Sequence, residues 1–118
     1  MAFMFEDLVV YKKAMELVSW IYKNSGRITD KEIKDQLKRA ALSIPLNIAE
    51  GNGRNTLKEK IQFYKTARGS LFECVPILQL IAELNFINGA EHQKLYVVSE
   101  EIGKMLNGLI NSLNKYRE

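Results

Sequence analysis

The sequence predicts an all-α protein, an antiparallel up-down-up-down four-helix bundle. Apolar residues recur every three to four positions through four separate stretches, which is the spacing of a helix with one buried face. Only a few residues separate these stretches, so consecutive helices are predicted to reverse direction and lie side by side. The 118 residues are 47% hydrophobic and contain two prolines. That is enough apolar material for one core, and residues 1–118 are predicted to form a single domain.

The first helix is predicted to begin at Leu8, where the apolar period starts, and to continue to Tyr22. Gly26 follows closely and is predicted to end the helix in the left-handed conformation that glycine adopts at least cost. The preceding segment, MAFMFEDLVV, carries acidic residues where a secretory signal carries basic ones. No export is therefore expected.

The second helix is predicted to start at a capping box formed by Thr29 and Glu32. In this motif the threonine hydroxyl accepts from the amide three residues on, and the glutamate reaches back to the threonine amide. The helix is predicted to end at Gly51. Pro45 lies inside it and is predicted either to kink the helix or to open a new helical segment after Ser43. The predicted buried stripe is Ile33, Leu37, Ala40, Ala41, Ile44 and Ile48.

Helices three and four are predicted to start after Thr56 and Asn88, which are each followed three residues later by a glutamate. Pro76 is predicted to kink helix three. Gly69 lies inside the same helix, where glycine costs about 1 kcal/mol relative to alanine. The stretch Ala67-Arg68-Gly69-Ser70 is therefore predicted to mark a close approach of another helix, at Ala40, Ala41 and Ser43 of helix two. The predicted stripe of helix four is Leu95, Val98, Ile102, Met105, Leu109, Leu113 and Tyr116.

The second half of helix three is more apolar than one buried face requires. Between Leu71 and Leu84 the chain reads LFECVPILQLIAEL, and a helix of a monomeric bundle needs a wider solvated face. The sequence therefore predicts a homo-oligomer. The candidate interface residues outside the main stripes are Trp20, Phe63 and Phe72.

Residues 43–54, SIPLNIAEGNGR, have two interpretations. In the structural one, Gly51 ends helix two and the amide of Asn47 serves neighbouring backbone groups. Glu50 and Arg54 are four residues apart and can form an ion pair where helical geometry persists. This interpretation needs no ligand.

The functional interpretation begins with the cations that follow. The five basic residues between Arg54 and Arg68 face only Glu59 among acids, a local net charge of +4. Several of them fall on one side of a helix, and evenly spaced cations can follow the phosphates of RNA or DNA. A merely solvated charged face is the alternative. The candidate nucleic-acid-binding residues are Arg39, Arg54, Lys58, Lys65 and Arg68.

The residues provide no constellation for catalysis, so the protein is predicted to be a non-enzyme without cofactor, metal or small-molecule substrate. His92 is the single histidine and lacks the Glu-x-x-His pairs of di-metal bundles. Cys74 lies in an apolar stretch, where a thiol behaves as a small hydrophobe. No phosphate-binding glycine motif occurs. A lone cysteine and the absence of an apolar run near 20 residues predict a cytoplasmic protein without a membrane segment.

The order of motifs resembles the bacterial 23S rRNA-intervening-sequence protein family. The motifs are FEDLVVYKKAMEL, then QLKRAALSIPLNIAEGNGR, then FYKTARGSLFE, and the resemblance covers essentially the whole chain. It implies a small four-helix bundle, a relationship to accessory proteins of diversity-generating retroelements, and assembly into rings of five. It also implies a connection with nucleic acid.

Together these observations favour a non-enzymatic, oligomeric helical bundle that binds RNA or DNA through a basic face. The alternative is a protein-protein interaction or scaffolding module with no nucleic-acid binding.

Overall fold

The computed structural model describes residues 3–116, which contain four α-helices and no strand. The helices are α1 (Val9–Asn24), α2 (Lys31–Asn52), α3 (Leu57–Glu83) and α4 (Gly89–Asn114). A 3-10 turn, Met4–Asp7, precedes α1, and a second, Ser25–Arg27, follows it. The predicted all-α class with four helices is confirmed.

The four helices enclose one hydrophobic core in a body of 47 × 29 × 23 Å. Helix α2 packs against α3, α3 packs against α4, and α1 contacts both α2 and α4. On α2 the core face is largely the predicted one. The largest fully buried side chains include Leu17, Ile21, Leu37, Ile44, Ile48, Ile61, Leu71, Leu78, Ile81, Ile102 and Leu106.

On α4 the buried face is rotated from the predicted one. Ser99, Leu106 and Ile110 are buried, whereas the predicted Val98 and Met105 are only partly buried beside the core. Two apolar stripes run along this helix about one residue apart, and the sequence period does not distinguish the face towards the core from the edge towards α1. Packing against α3 and α1 selects the inner stripe.

Three helix starts carry a capping side chain, and two of them are the predicted ones. Thr56 accepts from the Glu59 amide at 3.1 Å, and Asn88 accepts from the Glu91 amide at 2.8 Å. The prediction of Thr29 is wrong, because Asp30 caps α2 and accepts from the Ile33 amide at 3.0 Å. Both residue types cap well, and the helix begins one residue later than predicted.

The predicted left-handed cap at Gly26 is also wrong. Gly26 lies in the 3-10 turn after α1, and none of the glycines in the described range has a positive φ. The left-handed residue is Asn85, with φ 65°, just after α3. The Asn85 amide donates to the Ala82 carbonyl at 3.0 Å and the Phe86 amide donates to the Ile81 carbonyl at 2.9 Å. This is the Schellman pattern, and asparagine tolerates its left-handed position.

Both prolines lie inside continuous helices. Helix α2 passes through Pro45 without interruption, so Pro45 does not open a separate segment. Pro45 is almost fully buried, and contacts of its ring within the core offset part of the roughly 3 kcal/mol that proline costs in a helix interior. A bend of the axis at Pro45 or at Pro76 stays a prediction. Gly51 does not end α2, since the helix continues to Asn52.

An ion pair ties the turn after α1 to the start of α4. The two terminal nitrogens of Arg27 donate to the two carboxylate oxygens of Glu91 at 2.7 and 2.8 Å. Glu91 also accepts from the backbone amide of Asn88 at 2.9 Å. These bonds, that from Arg27 foremost, lower the pKa of Glu91 to about 2. The ionised carboxylate therefore stabilises the folded state.

We expect a Glu91→Gln variant to lose part of the acid sensitivity of folding. Because the pKa is lowered on folding, the contribution of Glu91 is complete above the ordinary value of 4.5 and disappears as the pH falls through about 2. The difference in free energy of unfolding between wild type and variant should shrink over this window in urea titrations. Glu83→Gln, at an exposed glutamate, is the control; an equal pH dependence in both variants would contradict the assignment.

We expect Cys74 to be unreactive in the folded protein. Its side chain is fully buried, and burial, with a smaller effect of the Glu73 charge, raises the pKa of the thiol to about 12. Because the thiolate is the reactive form, a disulfide reagent at pH 8 should modify Cys74 slowly in buffer and rapidly in denaturant. Equal rates in the two solvents would show that this part of the core is open.

Candidate functional site

The polar residues of segment 43–54 are largely occupied within the protein. The Asn47 side-chain amide donates to the Ser43 carbonyl at 2.8 Å and to the Ser43 hydroxyl at 2.9 Å. A hydrogen bond of 2.8 Å joins the hydroxyls of Ser43 and Ser70. Asn47 thus serves a neighbouring backbone group, as its structural interpretation expects, and the Ser43–Ser70 bond links α2 to α3.

Arg54 is held by groups on both sides of the turn between α2 and α3. Its guanidinium lies 2.7 Å from the Glu50 carboxylate and 4.0 Å from that of Glu59. The same group lies 4.6 Å from the centroid of the Phe63 ring, in a cation-π contact. Glu50 therefore compensates most of the charge of Arg54. Phe63 is half-buried beneath the guanidinium and is not an open apolar surface.

Gly51 lies where α2 comes closest to α3. A Cβ atom at this position would be 3.0 Å from Phe63 Cβ and 3.0 Å from Tyr64 Cε1, closer than ordinary van der Waals contact. Gly69 has no such role. A Cβ there would meet no atom of residues 3–116 within 4 Å, its own helix backbone aside, because this residue faces outward. The close approach predicted for residues 67–70 occurs at Ser70, which contacts Ser43, and not at Gly69; Gly51 is the glycine that the helix contact requires.

The structure brings together only part of the predicted cation set. Lys58 and Lys65 are exposed, form no ion pair with any described residue and lie two turns apart on one side of α3. Their separation along the helix is about 10 Å at 1.5 Å per residue. Arg68 lies near the same side and donates to the Asn107 side chain on α4 at 2.8 Å. These three residues form the α3 cation strip.

Arg39 and the remaining basic residues lie elsewhere. Arg39 borders a cavity between α2 and α3 together with Ile77. Arg39 lies between Gln36 and Ser43, whose side chains contact Glu73 and Ser70 of α3, so it is on a different helix and level with the part of α3 beyond Arg68. It is not part of the cation strip. The Lys60 ammonium donates to the Asn52 carbonyl at 2.7 Å and holds the turn. The Lys38 ammonium lies 4.7 Å from the Tyr22 ring centroid and faces α1.

An apolar groove of about 380 Å³ lies between α3 and α4. Phe72, at its rim, is 63% exposed and is the one predicted interface residue with a largely open side chain. Trp20 is half-buried beside a second cavity, between α1 and α4. We call the first surface the α3–α4 groove; its principal residues are Phe72, Val75, Pro76, Tyr96, Glu100 and Lys104.

Two exposed leucines were missed by the sequence interpretation. Leu42 and Leu46 are both exposed on α2, one turn apart and away from the core. Their four-residue spacing outside the buried stripe was the available signal, but the same spacing occurs by chance in apolar helices. With Arg39, one turn earlier, they form what we call the α2 ridge.

The described part of the chain contains no arrangement typical of a catalytic site. In residues 3–116 no group of three or more His, Cys, Asp or Glu side chains is placed to hold a metal ion. No helix in that range is long and apolar enough to cross a bilayer. His92 is half-buried in the first turn of α4 and Cys74 is sealed in the core. The fold and surface define a small helical-bundle protein with exposed cations and an apolar groove.

The chain belongs to the 23S rRNA-intervening sequence protein family, whose model matches residues 6–108. A crystal structure of a protein of unknown function from the S23 ribosomal protein family of Bacteroides thetaiotaomicron has a similar fold, with a TM-score of 0.80. The two sequences are 23% identical, and the match covers 86% of this chain and 98% of that chain. No curated protein matches the chain.

We expect alanine to act in opposite directions at the two glycines of the α2–α3 pair. Gly51→Ala should lower the free energy of unfolding by about 1 kcal/mol, because overpacking outweighs the gain in helix propensity. Gly69→Ala should raise it by about 0.5–1 kcal/mol, since the exposed site has room for the methyl group. Urea unfolding of both variants measures this. Stabilisation at position 51 would show that the contact is loose.

Proposed function

We propose that this chain is a non-enzymatic, self-associating helical bundle that binds the phosphate backbone of RNA or DNA through the α3 cation strip. The observation that carries the proposal is the pair Lys58 and Lys65, exposed on one side of α3 without an intramolecular carboxylate partner among the described residues. Arg68 extends the strip towards α4. Cations spaced along a rigid helix can contact successive phosphates without reading bases.

The proposal revises the predicted site. Arg54 is removed as a primary contact because Glu50 neutralises it at 2.7 Å. Arg39 is removed because it lies on α2, level with the part of α3 beyond Arg68 and away from Lys58. The family description mentions 23S rRNA intervening sequences, which is consistent with a nucleic-acid context. A cytoplasmic location is part of the proposal, since nucleic acid is available there and the lone Cys74 suits a reducing compartment.

The helices are inferred to run up-down-up-down, and the contacts between them support this direction. Along the α2–α3, α3–α4 and α1–α4 pairs, residue numbers rise on one helix as they fall on the other. Between α2 and α3, Ser43 contacts Ser70 and Gly51 contacts Phe63. Between α3 and α4, Leu71 contacts Gly103 and Arg68 contacts Asn107. Lys13 of α1 contacts Glu101 of α4, and Arg27 in the turn after α1 contacts Glu91.

Self-association supports the proposal that the partner is a polyanion such as RNA or DNA. Three cations on one protomer bind nucleic acid weakly, whereas several copies of the strip on one assembly bind with the avidity of linked sites. The exposed Phe72 and its groove provide apolar surface for contacts between copies. The resemblance to ring-forming relatives implies five copies, and that number is the expected stoichiometry.

A protein-interaction or scaffolding module is the second candidate function. The α3–α4 groove favours it, because a groove rimmed by Phe72 and Tyr96 is suited to an apolar segment of another protein. Such a protein would copurify with a polypeptide and without nucleic acid. An absorbance spectrum of the purified protein separates the two candidates.

We expect the double variant Lys58→Glu, Lys65→Glu to bind RNA and DNA at least about 10-fold more weakly than wild type at 50 mM salt. Binding by the wild type should weaken steeply between about 50 and 200 mM salt, because cations at phosphates release counterions. Fluorescence anisotropy with labelled oligonucleotides of several sequences measures both effects. The result should depend little on sequence.

The matched control is Lys12→Glu, Lys23→Glu, which makes the same change in net charge at exposed lysines of α1. It should reduce affinity much less than the α3 double variant. Equal losses in the two variants would mean that only net charge matters. A salt-independent affinity, or none at all, would exclude the proposed binding mode.

A further inference from the structure

We infer that copies of this chain join head-to-tail, with the α2 ridge of one copy seated in the α3–α4 groove of the next. The inference rests on the proposed self-association and deepens it, because it names the two surfaces that meet. The occupant of the groove is a second copy of this chain. Shape, exposed apolar area and charge on the two surfaces each support it.

The two surfaces have complementary shapes. Leu42 and Leu46 project from the outer side of α2, one turn apart, and Leu46 is 59% exposed. The groove is a concave surface between two helices, with Phe72 and Tyr96 exposed at its rim. A row of side chains spaced by four residues packs naturally into the groove between neighbouring helices. The contact would remove the exposed leucines and aromatic rings from water together.

Charge complements the apolar contact. Arg39 is exposed on the ridge one turn before Leu42, and no described carboxylate pairs with it. Glu100 is exposed in the groove and forms no ion pair with the described residues. When α2 of one copy runs in the same direction as α4 of the next, Arg39 is placed to face Glu100, while Leu42 and Leu46 lie further along the groove.

The contact joins two different surfaces, since the ridge is on α2 and the groove is formed by α3 and α4. In the inferred assembly each copy offers its ridge to one neighbour and its groove to another. Such a heterologous contact builds a ring if its rotation closes, and a filament if it does not. Lys58 and Lys65 lie outside the groove, about four and two turns before Phe72, so every copy keeps them open.

The first experiment measures the molar mass of Leu46→Glu by light scattering after size-exclusion chromatography at micromolar concentration. The substitution puts a carboxylate at the centre of the contact, and the mass should fall towards the 13.6 kDa of one chain. The control is Val9→Glu, at an apolar residue of similar exposure, 56%, near the start of α1. It should keep the wild-type mass. Circular dichroism establishes that both variants are helical.

The second experiment exchanges the charges across the contact. Arg39→Glu and Glu100→Arg should each lower the mass of the assembly, and the double variant Arg39→Glu, Glu100→Arg should restore it. A restored assembly requires that the two residues meet, which a general loss of stability does not produce. This test remains decisive if Leu46→Glu fails to fold.

The outcomes separate this interface from the proposed function. A wild-type chain that is monomeric overturns both the self-association and the interface. A wild-type oligomer whose mass is unchanged by Leu46→Glu and by the single charge variants overturns the interface alone and leaves the proposed self-association standing. Loss of assembly in the single charge variants without rescue in the double variant also overturns the pairing of Arg39 with Glu100.

Discussion

The close packing of α2 on α3 is the constraint on which the rest of the surface depends. Gly51 lets the backbone of α2 approach Phe63 and Tyr64 to a distance that a Cβ would not allow, and the Ser43–Ser70 bond fixes the register of the two helices. Once this pair is fixed, the outward side of α3 is fixed as well. Lys58, Lys65 and Phe72 therefore point away from the core for the same reason that Leu71 and Leu78 point into it.

The segment SIPLNIAEGNGR has the composition of a binding site, yet most of its polar groups are occupied internally. Asn47 forms a hydrogen bond with Ser43. Arg54 forms an ion pair with Glu50 and lies over the ring of Phe63. These contacts form the end of α2 and the turn into α3, where several unpaired helix groups must find partners. A dense cluster of polar residues beside a glycine therefore indicates here a tightly built helix connection, and the surface available to partners lies further along α3.

Local signals in the sequence predict the elements well, and packing decides what they do not. Thr56 and Asn88 are recognisable because a cap needs only its own turn, and the apolar periods follow from burial of one helix face. Thr29 and Asp30 are adjacent good caps, so spacing alone does not choose between them. Gly69 and Gly51 are both unusual in a helix, but only the position of the neighbouring helix shows which is essential. The cation set was predicted as one patch, because a sequence does not show the Glu50 contact of Arg54 or the distance of Arg39.

Helix α3 carries two different surfaces in series, and this order links the two proposals. Its first half presents Lys58 and Lys65, and its second half presents Phe72 at the rim of the groove. Because the lysines and Phe72 lie on one rigid helix, a contact between copies at the groove places Lys65 about 10 Å and Lys58 about 21 Å along α3 from each interface. Every interface in the proposed assembly then has the same pair of lysines beside it at the same spacing. Affinity for a polyanion would rise with the number of copies in the assembly. Because the contacts are limited to phosphates, binding would not depend on the base sequence. A chain of modest net charge, +3, can in this way present a strongly cationic surface only after it assembles.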